Sequence, residues 1–193
     1  MIWLIDMVMV KLTNEMIDYA MQLNREVLKR RDRQNRQGRY KQNNITNDIY
    51  GIVGKLTVLQ WLNMPFEILE KTFYIPERVY YDFIFNDYKC IVKTMTRTCD
   101  VKPYYDCNFV KNQVDVDYDI VIFVSINKLK NIAVICGWMY KDQFKKSASV
   151  AVTGERQGVV TFRADNLAVQ VQLLTHINNL RTIYNPKMQL KLF

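Results

Sequence analysis

The chain has 193 residues and 23.0 kDa, 49% of them hydrophobic and 24% charged, with six glycines and four prolines. This excludes disordered, collagen-like and linker-dominated chains and leaves enough apolar mass for one folded domain over 1–193. Twenty-seven Lys and Arg against 19 Asp and Glu give a net charge of +8, which suits a polyanionic partner such as nucleic acid without fixing any chemistry.

The opening MIWLIDMVMV is apolar over only ten residues, is interrupted by Asp6 and lacks a basic leader, so a strand or a packed tail is expected. No run of 18 uninterrupted apolar residues occurs anywhere, which argues against a membrane partner. From Thr13, Met16, Ile17, Ala20, Leu23 and Val27 recur at helical spacing, with Thr13 or Asn14 as N-cap. That helix runs into a segment, residues 25–41, holding eight cations against Glu26 and Asp32. Two readings stand for it: a solvated helix end and loop, or an arm whose Arg30, Arg31, Arg33 and Arg36 grip phosphates.

Asp48 is placed to cap a second helix, IYGIVGKLTVLQWLN, which Asn63 and Pro65 terminate. Beyond it the pattern turns to period two or short apolar runs. KTFYI and RVYYDFIF, then CIVKTMTRT after a polar FNDYK turn, predict a hairpin or meander. VDVDYDIVIFVSI and KNIAVICGWMY add two strands around an NKLKN turn, and GVVTFRA a further one. Asp115, Asp117 and Asp119 alternate with apolar residues and would share one strand face, either solvated or gathered on a cation. DNLAVQVQLLTHINNLRTIY predicts a terminal helix capped by Asp165. The whole is an α+β (mixed α/β) domain with a central four- to five-stranded mixed sheet flanked by helices.

Hydrolase signatures such as GxSxG, HExxH and a P-loop are absent from the sequence. Cys90, Cys99, Cys107 and Cys136 form no CxxC and read as reduced thiols in a cytoplasmic setting, and the single His176 reads as a packed or capping histidine. What remains is the hairpin YYDFIFNDYKCIVKT, whose tight turn brings Asp82 and Lys93 to one sheet edge. A carboxylate on Mg²⁺ beside a lysine that orients water is the apparatus of metal-assisted phosphodiester cleavage.

On these residues the chain resembles the PD-(D/E)XK (restriction-endonuclease-like) nuclease superfamily, in particular its small phage and viral members. The resemblance covers roughly residues 44 to 145: the helix DIYGIVGKLTVLQWL, the hairpin YDFIFNDYKCIVKTMTR, the strand DYDIVIFVSI and the segment ICGWMYKDQF. It implies hydrolysis of DNA with Mg²⁺ or Mn²⁺, with Asp82 as metal ligand and Lys93 as catalytic lysine. Two family carboxylates are replaced, one by Ile91 and one by Lys55, which sets a positive charge where a cation should bind. The resemblance therefore implies either a migrated ligand, for which Asp48 is the candidate, or an inactive member kept for nucleic-acid binding or interaction within a phage or virus. In the second case Lys55 joins the arm arginines as a phosphate-facing cation.

Overall fold

The structure is a computed structural model that describes residues 7–33, 45–74, 80–154, 156–157, 160–161 and 164–183. It is an α+β protein with a five-stranded mixed sheet between two layers. The strands are β1 (Val8–Lys11), β2 (Phe83–Phe85), β3 (Tyr88–Arg97), β5 (Ile120–Asn127) and β6 (Ile132–Tyr140), in the order β1-β6-β5-β3-β2. β3 and β5 run parallel, and every other pairing in this sheet is antiparallel. All eight residues of β5 are buried: residues 120–124 form the apolar run expected of a central strand, and Ser125 and Asn127 are buried polar residues after it.

Three helices, α1 (Asn14–Arg33), α2 (Ile45–Leu62) and α3 (Glu67–Tyr74), lie on one side. Met16, Ala20 and Leu23 from α1 and Val53, Leu56 and Leu59 from α2 share a core with Cys90 and Val92 of β3 and Ile120 and Ile122 of β5. The Thr13 hydroxyl accepts the Met16 N–H at 3.2 Å and so caps α1 as expected. On the other side sits a three-stranded antiparallel sheet of β4 (Asp106–Val110), β10 (Asn166–Gln170) and β7 (Ser149–Ala151), in the order β4-β10-β7. With α4 (Lys141–Ser147) it encloses a second core around Phe109, Phe123 and Phe144. A small hairpin of β8 (Arg156–Gln157) and β9 (Val160–Thr161) completes the described strands.

Four expectations are corrected. KTFY belongs to α3, because Leu69 is fully buried against the helical layer while Tyr19 of α1 covers the helix, its hydroxyl donating to Glu70 at 2.6 Å. Asp48 is not an N-cap: α2 begins at Ile45 and Asp48 stands in its first turn, where a negative charge still suits the helix dipole. The segment from Asp165 is no helix. Asn166–Gln170 fills the gap between β4 and β7, and residues 171–173 and 177–182 form 3₁₀ turns. The Asp115 to Asp119 stretch lies before β5 rather than on it, and its acids diverge. Asp115 pairs with Lys145 at 2.8 Å, Asp117 pairs with Lys89 at 2.5 Å, and Asp119 accepts the Lys89 N–H at 2.8 Å.

Candidate functional site

The turn between β2 and β3 places Asn86 and Asp87 at φ 48° and 63°, the two left-handed positions of a tight hairpin. β2 consequently covers only Tyr88 to Cys90 of β3. Asp82 stands immediately before β2. Its backbone N–H donates to the Cys90 carbonyl at 2.8 Å, and its carboxylate replaces the next ladder acceptor, taking the Val92 N–H on Oδ2 at 2.7 Å. From Val92 onward β2 no longer pairs with β3, and the candidate site lies at this edge.

Lys55 reaches the same carboxylate from α2. Its ammonium lies 2.7 Å from Asp82 Oδ1, with the two side chains only 20% and 13% exposed. α2 comes close enough for this because Gly54 rests on Thr94 of β3: a Cβ there would meet Thr94 Oγ1 at 2.0 Å. The Thr94 hydroxyl beneath is buried and has no hydrogen-bond partner among the described residues.

Lys93, one residue before Thr94, points to the opposite core. Its ammonium lies 3.9 Å from the centre of the Phe109 ring and donates to Gln113 Oε1 at 3.0 Å. Burial pushes the Lys93 amine down to about 8; Asp82 opposes that shift and Lys55 adds to it. Asp82 and Lys93 are therefore not brought together as expected: Asp82 faces Lys55 and α2, whereas Lys93 lies on the other face of β3 with Phe109 and Gln113. Phe109 and Gln113, on β4 and the turn after it, were missed by sequence reasoning, because no local motif links a hairpin to residues of another sheet.

The fit to Mg²⁺ or Mn²⁺ follows from the donor set. Mg²⁺ takes octahedral oxygen ligands, whereas the Asp82 oxygens are engaged by an ammonium and a backbone N–H, and the lysines add repulsion. Asp48 stands seven residues before Lys55 on α2, about 10 Å along the helix axis. Among the described residues no three Asp, Glu, His or Cys side chains gather closely enough to hold a metal ion. The residues present do not fit a divalent cation in this arrangement.

Of the remaining predicted residues, Arg30, Arg31 and Arg33 fall on the last turn of α1, with their side chains outside the described residues; Arg36 lies outside them altogether. His176 opens the 3₁₀ turn at 177–182, its Nδ1 accepting the Asn178 N–H at 3.2 Å, a capping role as expected. The four cysteines are free thiols. No helix among the described residues is long and apolar enough to cross a membrane. No protein-family model, no curated protein and no solved structure matches this chain.

Proposed function

We propose that this protein binds nucleic acid through an α+β domain resembling the PD-(D/E)XK nucleases, and that its Asp82 and Lys93 site does not cleave DNA with a divalent metal. The observation that carries the reading is the Lys55 ammonium seated on Asp82 at 2.7 Å, a fixed positive charge where a nuclease of this type would hold its cation. The distribution of charge supports the partner. Residues 25–41 hold eight cations and two acids, residues 184–193 two cations and no acid, and the rest of the chain 17 of each. The whole excess of +8 is therefore concentrated in two short segments, as expected of arms that follow a phosphate backbone.

A plasmid and oligonucleotide assay with Mg²⁺, Mn²⁺ and EDTA arms, run beside a binding titration at several salt concentrations, tests both halves. The expected result is salt-sensitive DNA binding in EDTA with no cleavage in any arm. Neutralising Arg30, Arg31 and Arg33 together should flatten the log-log salt slope by up to about three units. Cleavage that requires Mn²⁺ and disappears on Asp82→Asn or Asp48→Asn would restore the nuclease reading. Binding indifferent to salt would remove nucleic acid as the partner and leave a structural or interaction role.

A further inference from the structure

We propose that Tyr104, on the loop between β3 and β4, is a stacking platform for an unpaired base of single-stranded nucleic acid, with Lys102 taking the phosphate beside it. The inference deepens the nucleic-acid reading above and rests on it.

Three observations meet on this loop. First, the Tyr104 ring is 57% exposed. A single exposed aromatic is ordinary on a protein surface, and the second observation is what sets this one apart: both its backbone and its ring are fixed. Lys102 to Tyr105 form a tight turn closed by the Tyr105 N–H on the Lys102 carbonyl at 3.0 Å, with Pro103 at the second position, where its restricted φ fits. The Gln172 N–H donates to the Pro103 carbonyl and the Val171 N–H to the Tyr105 carbonyl, both at 2.9 Å, so the turn is tied on either side of Tyr104 to the segment after β10. The ring is braced as well. Tyr105 meets it at 5.2 Å between centres and 89° between planes, and the Arg97 guanidinium lies 4.8 Å from the centre of Tyr105. Arg97 is itself anchored to the Asp106 carbonyl at 2.7 Å and to the Ser125 hydroxyl at 3.2 Å. A ring fixed in this way loses little freedom when a flat ligand stacks on it, and stacking accepts any base because every base has a π-face.

Third, the ring stands among cations. The Lys102 ammonium reaches the Tyr104 hydroxyl, 5.7 Å from the ring centre and so at the margin of the ring. Lys128 and Lys130 adjoin the same loop, one through its N–H on the Arg97 carbonyl and the other through its pairing with Asp100. Arg97, Lys102, Lys128 and Lys130 thus stand against two acids, Asp100 and Asp106. A flat aromatic surface beside an excess of cations matches a nucleotide, whose base is flat and whose phosphate is an anion. Duplex DNA keeps its bases inside the stack and does not present them to such a ring.

Fluorescence anisotropy in EDTA, at several salt concentrations, compares a 12-mer oligothymidylate with a 12-base-pair duplex for wild type, Tyr104→Ala, Tyr104→Phe and Lys102→Met. Tyr104→Ala should bind oligothymidylate about tenfold more weakly with its duplex affinity unchanged, and Tyr104→Phe should stay within about twofold of wild type. Lys102→Met should lower the single-strand salt slope by about 0.7, which Tyr104→Ala should not alter. The same 12-mer carrying 5-iodouracil, irradiated with the wild type, should crosslink to the peptide that holds Tyr104. Single-strand affinity unchanged in Tyr104→Ala, or lost equally for both oligonucleotides, overturns the proposal and leaves the arm reading intact; so does a wild type that binds the duplex alone. A slope unmoved by Lys102→Met overturns the phosphate contact. A wild type that binds neither oligonucleotide removes the nucleic-acid reading and this inference with it. Should Tyr104→Ala fail to fold, the crosslink decides: adducts confined to other peptides overturn the proposal.

Discussion

Lys55 and Asp82 are 27 residues apart in sequence and 2.7 Å apart in space, joining the middle of α2 to the entrance of β2 with little of either side chain exposed. A pair buried to this degree costs stability when one partner is lost and much less when both are. Lys55→Met or Asp82→Asn alone should therefore destabilise the fold by about 2–3 kcal/mol, and the double variant by less than the sum. Urea unfolding of the four proteins in a double-mutant cycle measures the coupling; strict additivity would mean that the contact contributes nothing in solution.

Lys93 predicts a pH dependence of unusual sign. Its amine titrates near 8 in the folded chain and near 10.5 when unfolded, so between these values the unfolded state binds more protons. Stability should rise with pH through this window as the cost of keeping a charged, buried lysine disappears. The gain should reach about 2 kcal/mol between pH 8 and 9.5 relative to Lys93→Met, which should lack the rise. Denaturant midpoints at half-unit pH steps test this below the range where the tyrosines ionise.

Gly54 should tolerate no side chain. Although alanine favours a helix by about 1 kcal/mol, its Cβ would strike the Thr94 hydroxyl, so Gly54→Ala should cost a net 1–3 kcal/mol and separate α2 from β3. Adding Thr94→Ala removes the closest atoms and should recover part of the loss. Thermal unfolding of the single and double variants reads the effect.

Asp119 and Lys89 clasp the beginnings of β5 and β3. The Asp119 carboxylate accepts the Lys89 N–H and the Asp119 N–H donates to the Lys89 carbonyl, both at 2.8 Å. Asp119→Ala leaves the Lys89 N–H without its acceptor and should cost about 1–2 kcal/mol. Amide exchange at Lys89 should accelerate at the same time, whereas exchange in β6 should be unaffected.

Much of this architecture is legible in residue patterns, for identifiable reasons. α1 and α2 carry long helical periods; β3, β5 and β6 are long runs rich in β-branched residues, and their burial needs only local rules. Expectation failed where the deciding contact was distant. KTFY has no strong period of its own and continues a helix whose anchor, Leu69, is fully buried in the core and whose Glu70 accepts from Tyr19 of α1. Asn166 to Gln170 could be read as the first turn and a half of a helix, but β4 and β7 offer it ladders on both edges. The acids at 115, 117 and 119 alternate as a strand face would, yet lysines from β3 and α4 draw two of them apart. At the candidate site, the spacing of Asp82 and Lys93 and the oddness of Lys55 were visible in the hairpin and helix motifs. The ring of Phe109 and the amide of Gln113 were not, since their placement depends on a second sheet that no short motif announces.

The parallel pairing of β3 with β5 has a consequence for how the chain reaches its native state. Between these neighbours the chain leaves the sheet, contributes β4 to the opposite layer and returns, so their ladder closes only after a loop of 22 residues, 98–119, has been confined. The β5–β6 hairpin and the α1–α2 pair form contacts that are local by comparison. Loop entropy therefore orders the events: hairpin and helices early, the β3–β5 seam late, and the edge holding Asp82, Lys55 and Lys93 last, because it exists only once β3 has docked. Refolding should be limited by that seam, so substitutions along β3 that weaken its pairing with β5 should slow folding, whereas substitutions at positions ordered only after the seam closes should chiefly accelerate unfolding.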